Sequence, residues 1–184
     1  GAVKLKSGEH MEIVRVVPPE PAWQDRILPF LGHKRESSRW QLKTAFDSGL
    51  PGATQYFYTG VVEGELVGNI MTVESMAPPI GILGHVFTPE THRLKGICSH
   101  LMKTVTEDFA QREGRALFLH TEKDSAPYRI YETWGFQGYR NSGTMAWLRE
   151  SDFRHRQFLP QPVAPRQPHW GDWPGLEALA ETVD

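Results

Sequence analysis

The sequence predicts an α/β protein in which helices pack on the faces of one mixed sheet. Segments rich in β-branched residues alternate with segments of helical periodicity, and one long amphipathic helix separates a meander of three strands from the strands that follow. The chain has 184 residues, of which 39% are hydrophobic and 23% are charged, which is the composition of an ordinary globular domain.

Six segments have the pattern of strands. Two of them form a predicted hairpin, because the dipeptide Glu63-Gly64 separates two runs rich in β-branched and aromatic residues. Two prolines precede the strand that ends at Thr88, and Pro89 follows it. The predicted strands are 11–17, 55–62, 65–74, the segment that ends at Thr88, 115–121 and 144–150.

Four segments have the pattern of helices: about 20–28, 37–46, 97–112 and 125–134. Ser38 and Gln41 have the spacing of a capping box for the second helix, and Ser125 is a predicted N-cap for the fourth. The third helix has one apolar face, and Gly114 is its predicted C-cap. The residues on that face are Ile97, Leu101, Met102, Val105 and Phe109.

The composition divides the chain into three parts. Residues 1–10 precede the first methionine, and we assign them no role in the fold, as a flexible lead or a tag remnant. Residues 11–150 carry the predicted strands and helices. Residues 151–184 form a linker or a wrapping tail, because five prolines fall between positions 160 and 174, together with Trp170 and Trp173. The segment from Trp173 onward has the pattern of a further helix.

The net charge, the cysteine count, the length of the apolar runs and the spacing of the histidines exclude several function classes. A net charge of −2 argues against general nucleic-acid binding. The single cysteine excludes an internal disulfide and favours a reduced, cytoplasmic setting. No apolar run approaches the roughly 18 residues of a membrane span. The histidines lack metal-ligand spacing, so we expect no metal site, no membrane partner and no nucleic-acid partner.

The stretch THRLKGICSH, residues 91–100, joins the strand ending at Thr88 to the long helix. Unpaired amides at a helix N-terminus attract anions, and Gly96 lets the backbone approach a ligand closely. Arg93 and Lys95 add positive charge. The stretch is either an anion site or an ordinary basic connection, and neither G-x-x-x-x-G-K-[ST] nor G-x-G-x-x-G occurs to decide between them.

Two motifs carry a resemblance to a known family. The segment RLKGIC, from Arg93 to Cys98, is similar to the pattern [RQ]-x-x-G-x-[GA] that opens a long helix in the GNAT N-acetyltransferase superfamily. Cys98 departs from the pattern, although a thiol is small and apolar enough to pack there. Tyr131 followed by Gly135-Phe136 resembles the family's Y-x-x-x-G-F element. The order of elements agrees over roughly 11–149.

The resemblance implies a GNAT-like α/β (α+β) fold, with a mixed, mostly antiparallel central sheet of about six or seven strands flanked by helices. It also implies a cofactor, acetyl-CoA or another acyl-CoA. In the family, the pantetheine arm pairs with the strand before the turn, and the pyrophosphate lies on the amides of the turn. The implied cofactor-binding residues are Val86, Phe87, Thr88, Arg93, Leu94, Lys95, Gly96, Ile97, Cys98, Ser99 and Tyr131.

The implied activity is direct transfer of an acetyl group from acetyl-CoA to an amine in a ternary complex. Tyr131 is the implied donor to the departing thiolate, because a phenol is neutral at pH 7 and can donate. A backbone N–H near Phe87 is the implied donor to the developing oxyanion. The general base is either an ordered water or one of several side chains. These side chains are Glu74, His85, His120, Glu122 and Asp124.

The sequence leaves the acceptor and one rival function open. The acceptor is an amine on a small molecule or a peptide. Trp23, Trp40 and Tyr56 either contact it or pack in the core. The rival function is a GNAT-fold acyl-CoA sensor with little catalysis, whose tail would contact a further domain or a second copy in a homodimer. A hydrolase built on Cys98 is disfavoured, because no nucleophile signature surrounds this residue.

Overall fold

The computed structural model describes residues 1–76, 79–139, 142–160, 162 and 164–180, so the last four residues of the predicted tail, 181–184, lie outside the described residues. The strands are β1 Ala2–Lys4, β2 His10–Val16, β3 Ala53–Val62, β4 Glu65–Ser75, β5 Ile80–Phe87, β6 Ala116–His120, β7 Gln137–Gly138 and β8 Thr144–Leu148. The helices are α1 Pro21–Phe30, α2 Glu36–Ser48, α3 Ile97–Gln111, α4 Ala126–Thr133, α5 Phe153–Gln157 and α6 Trp173–Ala180, with 3₁₀ turns at Glu90–His92 and Trp170–Asp172.

The strands form one open sheet in the order β1-β2-β3-β4-β5-β6-β8-β7. The described neighbours pair antiparallel, except β5 and β6, which run parallel because α3 crosses between them. This confirms the predicted mixed, mostly antiparallel sheet flanked by helices. The described sheet has eight strands rather than six or seven, because the short β1 and β7 add to the predicted ones.

Two apolar clusters cover the two faces of the sheet. One face packs against α3 and α4, through side chains such as Leu101, Val105 and Tyr131. The other face packs against α1 and α2 around Phe46 and Phe57, whose ring centroids lie 5.4 Å apart. Because a fully buried aliphatic or aromatic side chain contributes roughly 2 kcal/mol, these two layers are the main source of the fold's stability.

The first residues take part in the sheet, although the sequence predicts no fold role for residues 1–10. β1 pairs antiparallel with β2, and Leu5 is buried in the cluster on the α3 face. The Lys6 amide then donates to the Lys95 carbonyl at 3.1 Å, and Glu9 pairs with the Lys95 ammonium at 2.9 Å. A strand of 3 residues is too short to show a periodic pattern, which is why the sequence does not predict it.

Two predicted helix caps have different outcomes. The helix α2 begins at Glu36 without a side-chain cap, so the capping box predicted at Ser38 and Gln41 is wrong. Gln41 instead is buried and donates to a glutamine of β3. The N-cap predicted at Ser125 is confirmed, because its hydroxyl accepts from the Tyr128 amide at 3.3 Å.

The described part of the tail packs on the same face as α1 and α2. Phe153 and Ala178 are buried in a cluster with Phe118 of β6, and Trp170 and Trp173 pack against the cluster around α1 and α2. The segment from Trp173 forms the helix α6 up to Ala180. The tail therefore extends the layer that covers this face of the sheet.

Candidate active site

The strand β5 separates from β6 toward its carboxyl end. The described parallel pairing ends at Ile82 and Phe118, although both strands continue beyond these residues. The part of β5 from Gly84 to Phe87 therefore presents an edge that β6 does not cover. An extended ligand can pair with such an edge as an added strand does. This open edge lies where the resemblance places the pantetheine arm.

A β-bulge reshapes β5 at the same place. The register of β4 and β5 shifts between Asn69 and Met71, so that β5 carries an extra residue at His85-Val86. His85 has a φ of 49°, in the left-handed region. The side-chain amide of Asn69 donates to the backbone carbonyl oxygen of His85 at 2.9 Å. Bulges redirect groups next to active sites. Asn69 is a positioning residue that the sequence does not predict, because no motif contains it.

The turn that opens α3 presents a row of unpaired amides. Leu94 and Gly96 have left-handed φ values of 64° and 89°, and such residues curl successive amides around a concavity. Among the described residues, no N–H group from Leu94 to Ser99 donates to a backbone carbonyl, and no side chain caps α3 at Gly96. These amides and the helix dipole together make a cradle for an anion; we call residues 94–99 the amide cradle.

Three basic side chains surround the amide cradle in different ways. Lys95 pairs with Glu9 at 2.9 Å, and Arg93 contacts an acidic residue of its own turn at 3.3 Å, so both charges are partly neutralised. Lys6 comes from the N-terminal segment, and its Cγ lies 3.7 Å from where a Cβ on Gly96 would stand. The sequence does not predict Lys6 as a site residue, because only the folded chain brings it to the cradle.

A cavity of about 560 Å³ continues from the amide cradle to the start of α4. Lys6 lines it on the cradle side, and Ala126 and Ile130 line it on the α4 side. This volume is within the range of small-molecule sites. The sequence-predicted residues that line it are Thr88, Arg93, Leu94, Gly96, Ile97, Cys98 and Ser99. The fold therefore brings most of the predicted cofactor residues to one cavity, with Val86 and Phe87 on the open edge beside it.

Tyr131 lies on α4, in the layer that packs on the face of α3. Its side chain is 8% exposed, and its ring centroid lies 6.0 Å from that of Phe136. Burial raises the pKa of the phenol, and the neighbouring Cys98 raises it further, so Tyr131 stays protonated at neutral pH and can donate. Burial also raises the pKa of the Cys98 thiol, which identifies this cysteine as a packed side chain rather than a nucleophile.

Glu74 belongs to a buried ion pair. Its carboxylate accepts hydrogen bonds from Arg112 at 2.7 and 3.0 Å and from Thr72 at 2.7 Å, and its side chain is only 4% exposed. Glu74 lies opposite Gly81, at the beginning of β5, whereas the open edge is at the end. Breaking such a pair typically costs about 3–5 kcal/mol. This placement makes Glu74 a residue that ties α3 to the sheet, and it argues against the predicted role as base.

His85 lies on the face of the sheet that α1 and α2 cover. Phe87, further along the same strand, packs on this face against Phe30 and His33, with ring centroids 5.2 and 4.1 Å apart. Burial, and to a smaller extent the neighbouring Lys34 and His33, lower the pKa of His85 to about 4. The imidazole is therefore neutral at pH 7 and can accept a hydrogen bond.

His120 ends β6, across the opening from β5. Its side chain is exposed, and its Nδ1 lies 3.3 Å from the Thr144 hydroxyl. Since side chains alternate along a strand, His120 faces the same way as Phe118, toward the tail. The structure thus places Tyr131 on one side of the sheet opening and both predicted histidines on the other side.

We expect His85 to make the protein less stable as the pH falls. Its pKa of about 4 in the folded chain lies below the ordinary 6.5, so the unfolded chain binds the proton first and the free energy of unfolding decreases from pH 6.5 toward 4. The decrease is at most about 3 kcal/mol. Denaturant titrations should show a smaller decrease for His85→Gln than for wild type or for His155→Gln, a control on the exposed surface of α5. Equal decreases in all three proteins would rule out this role of His85.

Metal-binding clusters and membrane-spanning helices are both absent from the described residues. Within the ranges given above, no group of three or more His, Cys, Asp or Glu side chains is placed to hold a metal ion. None of the helices in those ranges is long and apolar enough to cross a membrane. The amide cradle, the cavity and the sheet opening are thus the features on which a function can be argued.

Solved structures identify the fold as that of GNAT acetyltransferases. A GNAT-family acetyltransferase from Staphylococcus aureus Mu50 has a TM-score of 0.61 at 13% identity, over 76% of this chain and 99% of that one. Aminoglycoside 6'-N-acetyltransferase complexed with coenzyme A has a TM-score of 0.53 at 16% identity, over 83% of this chain and 99% of that one. PaiA N-acetyltransferase from Thermoplasma acidophilum, in complex with coenzyme A, has a TM-score of 0.53 at 11% identity, over 75% of this chain and 98% of that one. Identities this low establish a common fold only.

A family comparison agrees with the fold. Residues 58–147 match the model of the FR47-like protein family. The matched segment contains the open edge of β5, the amide cradle and Tyr131. The family match and the fold agree with the resemblance carried by the two motifs. No curated protein sequence matches the chain.

Proposed function

We propose that the protein is an N-acetyltransferase that transfers an acetyl group from acetyl-CoA to an amine. The observation that carries this proposal is the amide cradle of residues 94–99, which lines a cavity together with Thr88, the residue that follows the uncovered end of β5. An anionic group fits the cradle, and an extended arm fits the edge. Proteins of the same fold are acetyltransferases, and two of them are known in complex with coenzyme A.

The residues that would hold the cofactor follow from this geometry. The amides of the cradle would bind the pyrophosphate, and Lys6 would add a positive charge that Lys95 cannot fully supply while it pairs with Glu9. Backbone groups of residues 86–88 would pair with the pantetheine arm. When bound, acetyl-CoA supplies an acetyl group activated as a thioester.

Three groups of the chain would act on the reacting atoms. A backbone N–H near Phe87 would donate to the carbonyl oxygen on which negative charge develops. Tyr131 would donate its proton to the departing sulfur, for which its raised pKa keeps it protonated. His85, neutral and on the opposite side of the opening, would take the proton of the amine directly or through a water. His120 is further from the bulge and keeps the same role as an alternative.

Acetyl-CoA is expected to stabilise the protein, because a ligand that binds only the folded state shifts the unfolding equilibrium. At a concentration of about 100 times the Kd the gain is about 2.7 kcal/mol, which corresponds to roughly 5–10 °C in Tm for a domain of this size. Thermal unfolding measures this, and thiol release with a panel of amines measures turnover. Stabilisation without turnover would identify an acyl-CoA sensor instead, and no stabilisation at millimolar acetyl-CoA would contradict both functions.

A further inference from the structure

A second pocket lies on the face of the sheet that α1, α2 and the tail cover. Its volume is about 290 Å³, at the lower end of the range for small-molecule sites. Its lining includes Ser38, Trp40, Gln41, His85, Trp170 and Trp173; we call it the aromatic pocket. Because His85 belongs to the bulge of β5, the aromatic pocket adjoins the place proposed for acetyl transfer.

The tail builds one wall of the aromatic pocket. The Gly171 amide donates to the Pro51 carbonyl at 3.3 Å, and a Cβ on Gly171 would stand 2.0 Å from the Gly52 carbonyl oxygen, so the two backbones are in direct contact. This contact presents Trp170 to Trp40, with ring centroids 5.7 Å apart. Trp40 nevertheless remains 61% exposed. So large an exposed apolar surface at a pocket favours a ligand with an apolar, planar group.

Lys34 lies outside the lining of the aromatic pocket but close enough to His85 for its charge to act on that imidazole, and in the described part of the chain no carboxylate pairs with it. The Lys34 ammonium lies 5.7 Å from the ring centroid of Phe87, near His85, and its side chain is half-buried. Burial lowers the pKa of Lys34, and in the described part of the chain no acidic residue offsets that burial. The described lining of the pocket contains no acidic residue either. A ligand carboxylate would compensate the partly desolvated charge.

We propose that the acceptor is an α-amino acid with a planar apolar side chain, held in the aromatic pocket with its carboxylate on Lys34 and its amine toward His85. This inference rests on the proposed acetyltransferase function. The side chain of the amino acid would pack against Trp40, Trp170 and Trp173, which line the pocket. A bound carboxylate near His85 would also offset the charge of Lys34 and return the pKa of the imidazole toward the range in which a base works best.

The reaction that follows is balanced without a further reactant. The amine nitrogen forms an amide bond to the acetyl carbon, and the thioester C–S bond breaks. The sulfur takes a proton from Tyr131. The ammonium form of the acceptor loses two of its three protons: one passes through His85 to solvent, one restores the phenol of Tyr131, and the third stays on the amide nitrogen. The products are the N-acetyl amino acid and coenzyme A, with one proton released to solvent. A large polycation is excluded, because the pocket is small and no acidic side chain of the described lining would bind it.

The test compares two acceptors that differ in the carboxylate alone. Acetyl transfer from acetyl-CoA is measured with L-phenylalanine and with phenethylamine, for wild type, Lys34→Met and Lys43→Met. Lys43 lies on the exposed side of α2, paired with Asp47, and is the matched control. We expect Lys34→Met to lower kcat/KM for L-phenylalanine by about tenfold or more, since a charge-assisted contact is lost. It should leave phenethylamine within about twofold, and Lys43→Met should change neither.

Binding is measured separately, so that the two proposals fail in different ways. Acetyl-CoA binding is measured from the shift in the thermal unfolding temperature. L-phenylalanine binding to the CoA-loaded protein is measured from the change in tryptophan fluorescence. A protein that binds acetyl-CoA and acetylates other amines, but neither binds nor acetylates L-phenylalanine, overturns the acceptor inference alone. Equal losses for both acceptors in Lys34→Met also overturn it. A protein that does not bind acetyl-CoA overturns the acetyltransferase proposal itself.

Discussion

Gly96→Glu is expected to abolish binding of coenzyme A while the domain stays folded. Gly96 forms the centre of the amide cradle, with a φ of 89°, and a Cβ there would be in ordinary van der Waals contact with the side chains of Lys6 and His100, without a clash. A carboxylate there would stand against a bound phosphate. At a separation of about 4 Å near a protein surface, two like charges repel by about 4 kcal/mol, which corresponds to roughly thousandfold weaker binding. Isothermal titration with coenzyme A measures the effect.

The hairpin turn between β3 and β4 offers a matched control for this substitution. Gly64 has a φ of 86°, close to that of Gly96, and a side chain would clash at neither position. Both variants therefore pay a similar backbone cost of about 1–2 kcal/mol, but only Gly96→Glu introduces charge at the cradle. We expect Gly64→Glu to bind coenzyme A like wild type. If the two variants bind with the same affinity, the turn before α3 is an ordinary connection and not a phosphate site.

Tyr131→Phe is expected to lower kcat by about a hundredfold and to change the affinity for acetyl-CoA little. The phenol is buried, protonated and placed on the cavity side of the sheet opening, so its removal takes away a proton donor without removing the ring. General acids typically contribute 10²–10⁴ in rate. Single-turnover kinetics and cofactor titration separate the two quantities.

Tyr128, one helical turn earlier on α4, is the control for Tyr131. It is similarly buried, at 7% exposed, and its hydroxyl packs against the backbone at Gly138, where a Cβ would stand only 1.8 Å away. Tyr128→Phe should therefore change stability slightly and leave kcat near wild type. Equal losses of kcat and cofactor affinity in Tyr131→Phe would show that Tyr131 packs in the buried cluster on the α3 face rather than donating a proton.

The sequence predicts the cofactor side of the site because the features involved are contiguous. The strand before the turn, the glycine at the turn and the apolar face of α3 follow one another within residues 80–111, and each has its own local pattern. The Y-x-x-x-G-F element is also local, and its distance from the turn carries the family resemblance. The cavity lined by Gly96, Cys98 and their neighbours agrees with this prediction.

The acceptor side is different, because its parts are distant in the chain. Glu74 and His85 look alike as candidate bases in the sequence, yet β4 and β5 run antiparallel, so that Glu74 lies beside the beginning of β5 and His85 lies near its end, at the opening. Lys34, His85 and Trp170 come from three separate segments. None of them has a motif, and their proximity depends on how α2 and the tail pack on the sheet.

The sequence by itself determined the alternation of strands and helices, the glycine turn proposed to bind phosphate and the tyrosine proposed for the cofactor site. These depend on hydrogen bonding and periodicity within a few residues, so local patterns record them. Only the tertiary structure decided that β1 belongs to the sheet, that Lys6 reaches Gly96, that Arg112 holds Glu74 and that the tail walls the aromatic pocket. Those contacts join residues far apart in sequence, and burial, strand register and charge pairing bring them together only when the whole chain folds.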